Sequence, residues 1–446
     1  MENNGQIKAK VINNSFWLLL ERMVTMASAL VLSILFAREL GPEGFGRLSY
    51  VQSFAALLTP VFALGMSRIL LREFGKTPQQ IPSIIRTCRD SRLVSGVVVT
   101  LLTGAGLYFF QDASWKLQLI TVLLIGNISN AFEVYDLWFV HQSNNKLMVL
   151  WRISCITVFA LLKGLALWLS QQVWLLIVVM AIEAVVRNTG YQWFYKHRFN
   201  DEKAQPARFE PEIFTDIFSQ SRYLIASALA AVVYLQIDIL MLEQLSDSAE
   251  VGIYAVAAKL SSVWYFFPQV ILTALFPMLL KIAHDTPHRY RELLQQGFDA
   301  LFICALTLSL LVYAFGPWVI NVMFGEAYND SIPVLTLHIF STVFVYMRAL
   351  LSFWLVSERF AEFSLFSQVS GAISNILLNL MLIPLYGAWG AAVATLISYG
   401  ISTYFCLFCF ARTRSIAMMM TKSMLFVFRL REIVVGWRQL LVGKST

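Results

Sequence analysis

Residues 232–260 read "VVYLQIDILMLEQLSDSAEVGIYAVAAKL". Two apolar runs flank a short polar turn, and each run has a charge inside it, Asp238 in the first and Lys259 in the second. Runs of this kind suit helices that cross hydrocarbon, because a helix satisfies its own backbone hydrogen bonds. A charge at the centre of such a helix costs roughly 2.5–3.5 kcal/mol if it faces lipid. The stretch therefore predicts two membrane helices in a chain whose interior has a use for charge.

The rest of the chain repeats the pattern. Of its 446 residues, 58% are hydrophobic and 14% charged, against about 25% charged in an ordinary soluble domain. Blocks such as 16–37, 93–110, 153–169 and 391–410 approach the roughly 20 residues needed to cross about 30 Å of hydrocarbon. About twelve spans are expected, near 15–37, 48–71, 93–110, 118–140, 149–169, 173–194, 218–242, 252–280, 295–322, 332–357, 363–383 and 389–411. The N-terminal block contains Glu21 and Arg22 and lacks a small-residue cleavage site, so it reads as the first span rather than a signal peptide.

Lysine and arginine crowd the N-terminal segment and the connections after even-numbered spans. The connections after odd-numbered spans hold only Arg38, Arg47 and Lys116. This bias predicts both termini in the cytoplasm. The outward connections are short, the longest being "RELGPEGFGR", which leaves no room for an external catalytic domain. Residues 195–217 form a charged, proline-bearing linker between an N-terminal six-helix bundle (1–194) and a C-terminal one (218–411). Residues 412–446 are expected to be a basic amphipathic tail on the inner leaflet, with Leu430, Ile433, Val434, Trp437, Leu440 and Leu441 on one side of a helix. "CLFC" at 406–409 has redox or metal spacing but no companion ligands nearby, so its cysteines read as small buried hydrophobes. No metal site and no cofactor are predicted.

A faint echo links "GPEGFGRLSYVQSFAALLTP" (41–60) to "SAEVGIYAVAAKLSSVWYFFP" (248–268). Each has a polar opening, a glycine, a tyrosine and then a proline, as two parallel repeats would give. Pro60, Pro268 and Pro277 are candidate bending points.

Five basic residues, Arg22, Lys163, Arg187, Lys259 and Arg348, fall within the expected spans. So do the acids Glu21, Glu133, Asp136, Glu183 and Asp238. Together they must face water or one another, since facing lipid would cost more than a typical folding free energy of about 5–15 kcal/mol. Helical spacing aligns Tyr223, Ser227, Tyr234 and Asp238 in one stripe, and His338, Ser341, Arg348 and Ser352 in another. The alternative is that such groups tie helices together. Glu183 and Arg187, an i,i+4 pair in the favoured order, are read that way, as a structural ion pair. Lys163, Lys259 and Arg348 have no acid within four residues and are read as lining a hydrated cavity. Cationic side chains bind phosphate through charge-assisted hydrogen bonds, so an anionic, sugar-bearing headgroup suits them. An exporter of organic cations would instead want unpaired acids and few bases.

Three stretches, "DILMLEQLSDSAEVGIYAVAAKL" (238–260), "ARELGPEGFGRLSY" (37–50) and "MLIPLYGAWGAAVATLISYG" (381–400), resemble Wzx-type polysaccharide repeat-unit flippases. These belong to the multidrug/oligosaccharidyl-lipid/polysaccharide (MOP) exporter superfamily. The resemblance covers most of the chain in span count and loop length. It implies an all-α integral membrane protein of MATE-like fold, with two six-helix bundles around a central cleft. It also implies a flippase rather than an enzyme, one that moves undecaprenyl-pyrophosphate-linked oligosaccharide from the cytoplasmic to the periplasmic leaflet of the bacterial inner membrane. The destination would be O-antigen of lipopolysaccharide, or capsule. Lys163, Lys259, Arg348, Arg22 and Tyr234 are the candidate substrate contacts. Asp238, Glu133 and Asp136 are the candidate ion-coupling acids, with H⁺ or Na⁺ as the coupling cation. Besides its lipid-linked substrate and membrane lipids, the expected partners are a polysaccharide polymerase and chain-length machinery; nucleic acid is not among them. No GxxxxGK[ST] loop is present, which argues against direct use of ATP. A multidrug exporter and a lipid II-type flippase of the same superfamily remain alternatives, although the latter usually carries two more spans. An enzyme of glycan assembly is disfavoured by the short outer loops.

Overall fold

The computed structural model describes residues 4–110, 114–142, 145–198, 208–269, 271–272, 287–358 and 360–429. Among these residues the regular structure is entirely helical. Nine helical stretches among the described residues are long and apolar enough to cross a membrane. Much of their apolar surface points outward: Phe109 is 75% exposed and Leu161 71%. Side chains of this kind would aggregate in water and are at home against acyl chains. The chain is a multi-pass membrane protein.

Two of the nine stretches, Phe16–Lys76 and Glu362–Cys409, each hold two of the expected crossings. The first is broken at Gly41 (φ 67°, ψ 179°) and the second at Gly387 (φ 53°, ψ −134°). Both angles lie in the region that favours glycine. Pro42 then starts the next helix, where its missing N–H costs nothing. The outer loop expected around 38–47 is thus no loop, but a break at one residue inside a helical hairpin. With these breaks the stretches account for every expected crossing except the eighth. That span begins as the helix Ser248–Ser262 and continues through Val263–Tyr265, while Pro277 lies outside the described residues.

The chain divides into two compact units, Met1–Gln236 and Ile237–Thr446. The division falls within the helix Pro211–Leu245 and not in the polar segment 195–217. The physical reason is that the first part of this helix packs with unit 1: Ile217 belongs to its core, and Ser53 donates to Gln236 Oε1 at 2.8 Å. From Asp238 onward its polar contacts are with unit 2.

In unit 1 the elements that position polar groups are α1 (Asn4–Phe62), α2 (Ser67–Lys76), α3 (Ile81–Phe110), α4 (Ser114–Ile128), α5 (Glu133–His141), α6 (Asn145–Ser170) and α7 (Val173–Arg198). Their core gathers Met66, Phe74, Ile85, Phe139 and Tyr195. Close packing is set by small residues, as membrane helices require: Gly126 lies so near Ala181 that a Cβ would come within 2.6 Å of its Cα. The expected fourth span is interrupted by a tighter turn at Ser129–Phe132.

The helix Pro211–Leu245, α8, leads into unit 2, which continues with α9 (Ser248–Ser262), α10 (Pro287–Met323), α11 (Ser331–His338), α12 (Ser341–Ser357), α13 (Ala361–Thr403) and α14 (Arg414–Met424). The tail expected from residue 412 is not wholly free. α14 buries Ile416, Ala417 and Met420, and Gln295 of α10 donates to the Met419 carbonyl at 3.1 Å. The amphipathic helix expected over 429–444 lies almost entirely outside the described residues.

Candidate functional site

Unit 1 concentrates its charge on Arg152, near the start of α6. Its Nε and Nη2 donate to the two carboxylate oxygens of Glu21, each at 2.7 Å, and its Nη1 donates to Asp136 Oδ1 at 2.7 Å. One planar guanidinium thus holds α1, α5 and α6 together through a bidentate and a single contact, a geometry that arginine supplies and lysine does not. Asp136, a candidate coupling acid, is therefore engaged by a cation. Glu133, one turn earlier, is half-buried and has no hydrogen bond or ion pair among the described residues. Beside this network, Asn188 donates to Ser129 Oγ at 3.0 Å and to Asn130 Oδ1 at 2.7 Å, which fastens α7 to the turn preceding α5.

Lys163 differs from expectation. Its ammonium is 2.5 Å from Glu183 Oε2, with both side chains nearly buried. The neighbouring helix supplies the acid that Lys163 lacks on its own. Glu183 accordingly does not pair with Arg187 four residues on, whose Nε instead approaches Asn188 Oδ1 at 3.5 Å. The predicted structural ion pair Glu183–Arg187 is corrected to Glu183–Lys163. The reason is that α6 runs against α7, so a cross-helix reach is shorter than one along the helix surface. Arg22 is exposed, next to the engaged Glu21.

Unit 2 is organised around an acid. Asp238 is 3% exposed and accepts four hydrogen bonds. Asn375 and Asn379 donate to Oδ1 at 3.0 and 2.6 Å, and Tyr254 and Thr395 donate to Oδ2, both at 2.8 Å. All four donors are neutral. Asn375 and Asn379 sit one turn apart before the break at Gly387, and Thr395 sits after it, so the break folds α13 back and brings both its limbs to one carboxylate. A second carboxylate secures the break itself. Glu250 Oε2 accepts the Ala388 backbone N–H at 2.6 Å, and Gly387 leaves room for it, since a Cβ there would collide with that same oxygen. Around the hub, His338 is buried with its ring edge-on to Tyr254 at 5.7 Å, and its Nδ1 has no hydrogen-bond partner among the described residues.

Arg348 donates through Nη1 to Ser367 Oγ at 2.7 Å and to the Ser402 carbonyl at 3.2 Å, and through Nη2 to Ser364 at 3.3–3.4 Å. Hydroxyls and carbonyls solvate this charge. Lys259 lies in the last turn of α9, half-buried, and Tyr234 is half-buried one turn before Asp238. The expected polar stripes are not uniform linings. Tyr223 is 69% exposed where Asp238 is sealed, and a break between α11 and α12 separates His338 from Ser341. Of the sequence candidates, then, Asp136 lies in the Arg152 network, Lys163 and Glu183 form a pair, and Asp238 forms the second hub.

Arg152, Tyr254, Asn375, Asn379 and Thr395 were not anticipated. Arg152 falls near a span end, where a base needs no explanation. The available signal was two asparagines at i,i+4 (375 and 379) in an otherwise apolar run, which places two amides on one face. Of the two CLFC cysteines expected to be buried, Cys406 is buried and Cys409 exposed, and no group of three or more metal-ligating side chains occurs among the described residues.

Both hubs hold their charges between packed apolar helices of a multi-pass membrane protein. The family model described as Polysaccharide biosynthesis protein matches residues 11–283, more than half of the chain, and the chain belongs to that family. A second model, Lipid II flippase MurJ, matches residues 199–439. Among relatives, the chain is 30% identical to Probable flippase AglR of Haloferax volcanii over 41% of this chain and 39% of that protein. It is 21% identical to Succinoglycan biosynthesis transport protein ExoT of Rhizobium meliloti over 74% of this chain and 66% of that one. Among solved structures, the Lipid II flippase MurJ in an inward closed conformation superposes with a TM-score of 0.66 at 14% identity, covering 97% of this chain and 96% of that chain. The fold is that of the MOP superfamily, and the chain is similar to its flippases.

Proposed function

We propose that this protein flips lipid-linked oligosaccharide repeat units, carried on undecaprenyl pyrophosphate, from the cytoplasmic to the periplasmic leaflet of a bacterial inner membrane, for O-antigen or capsule synthesis. The observation that supports the reading is the membership of the polysaccharide biosynthesis family in a chain that keeps cations within its spans. Lys259 and Arg348, both in unit 2, are the side chains assigned to the pyrophosphate. The site is exposed to the two sides of the membrane in turn, and both termini stay cytoplasmic.

Asp238 is the acid best suited to sense a coupling cation. Asp136 already has a cation in Arg152, whereas among the described residues the charge of Asp238 is met by neutral donors. Hydrogen bonds lower the cost of a buried carboxylate but do not remove it. A proton or a sodium ion arriving at Asp238 would cancel that charge, and its departure would restore it. Each transit would then bias the packing of α8, α9 and α13.

The test is deletion with complementation. Loss of long-chain surface polysaccharide, with lipid-linked units accumulating on the cytoplasmic side, supports the reading; an unchanged surface glycan ends it. A second reading, transport of a lipid II-type precursor, draws on the MurJ family match over residues 199–439. Rescue of peptidoglycan precursor export in place of surface glycan would select it. Wider drug tolerance without a glycan phenotype would point instead to a multidrug exporter.

A further inference from the structure

A cavity of about 460 Å³ opens in unit 2, away from both hubs, between the start of α10, the end of α12 and α14. Arg291, Arg412 and Glu358 stand at its mouth and are exposed, while Trp354, Phe360 and Met419 line its walls. The chemistry changes with depth: Trp354 is 8% exposed and Ile416, at the floor, 1%. Neither guanidinium has a hydrogen-bond or ion-pair partner among the described residues, and that of Arg412 lies 5.9 Å from the Phe360 ring centroid. Among the described residues, two guanidiniums and one carboxylate leave the mouth with one positive charge in excess.

The surroundings of this cavity suit the membrane interface. α14 turns Ile416, Ala417 and Met420 inward, yet Met418, Leu425 and Phe428 just beside it are exposed, in company with Arg414 and Lys422. Apolar and basic side chains side by side on an outer face are the mark of an interfacial helix. The charge bias along the chain predicts that this end faces the cytoplasmic leaflet, where anionic lipids give the surface its negative potential.

We propose that this cavity is a binding site for an anionic phospholipid of the inner leaflet. The phosphate sits between Arg291 and Arg412, and the first part of one acyl chain enters along Trp354 and Met419. A free phosphate would leave the apolar floor unused, and a zwitterionic lipid would bring a cation to a mouth that already has a surplus. Basic pockets between membrane helices bind anionic headgroups on these grounds. The lipid would staple α14 to α10 and α12 and fix the segment leading to the C-terminal tail.

The test uses the full-length protein in nanodiscs of phosphatidylcholine with or without phosphatidylglycerol, read by thermal unfolding and by native mass spectrometry of the lipid retained after extraction. The expected result is a higher melting temperature with phosphatidylglycerol and one retained molecule of it. Retention falls about tenfold, roughly 1.4 kcal/mol, when Arg291→Gln is combined with Arg412→Gln. Glu358→Gln, which removes the one competing anion at the mouth, raises retention. Unchanged retention in both variants overturns the proposal, as does an equal stabilisation by inorganic phosphate alone or by phosphatidylcholine. All three side chains are exposed, so folding is preserved; should the double variant still misfold, Glu358→Gln decides by itself.

Discussion

The two units solve the same problem, buried charge, in opposite ways. In unit 1, acids meet a cation: Glu21 and Asp136 converge on Arg152, and Glu183 takes Lys163. In unit 2, Asp238 meets four neutral donors and Arg348 is held by hydroxyls and carbonyls. A salt link is satisfied as it stands, and exchanging a proton would cost it a partner. A carboxylate among dipoles is held in place and yet still carries a charge that a small cation can cancel. The contrast separates a unit braced by salt links from one whose central carboxylate is held by neutral donors.

The comparison can be broken most forcefully at Arg152. Arg152→Ala strands two half-buried carboxylates and is expected to cost about 3 kcal/mol, the lower end for a broken buried pair, read as a large drop in melting temperature in detergent. Arg152→Lys should recover only part of it, since an ammonium cannot reproduce the fork. Next comes Asn379→Ala, which removes one hydrogen bond to a charged group and should cost about 1.5–3 kcal/mol in the same assay. Gly387→Ala should cost about 1–3 kcal/mol, because a methyl group at positive φ also displaces Glu250 from the Ala388 N–H. The smallest loss is expected for Asp238→Asn, within about 1.5 kcal/mol, since the surrounding amides can rotate to accept from it. That variant sharpens the comparison most. Wild-type protein should gain melting temperature with added sodium or on acidification, as binding linkage requires, and the variant should not. If Arg152→Ala is mild and Asp238→Asn unfolds the protein, the division of labour is reversed.

Much of the fold is legible in the sequence because length and apolarity alone decide a membrane crossing. The candidate site is legible only in part. Asp238 stands out, because an acid in a greasy run has few cheap explanations. Its partners do not, because Asn, Thr and Tyr are ordinary guests of membrane helices. Which amide meets which acid depends on the break at Gly387, and a glycine in sequence does not announce its φ. Lys163 shows the same limit from the other side. Searching four residues along the chain finds neighbours on one helix, whereas its partner Glu183 stands on the next.

The turn at Gly41 has a practical corollary. A hairpin that reverses at a single residue presents almost no slack chain to the aqueous phase. Proteases and antibodies have nothing there to grip, and a tag inserted at this point would have to pry two packed helices apart. Sidedness is better mapped with a single cysteine at Glu43, which is exposed, and a small membrane-impermeant thiol reagent. By the same token, any protein that docks on this edge has to recognise the flanks of the helices from within the bilayer.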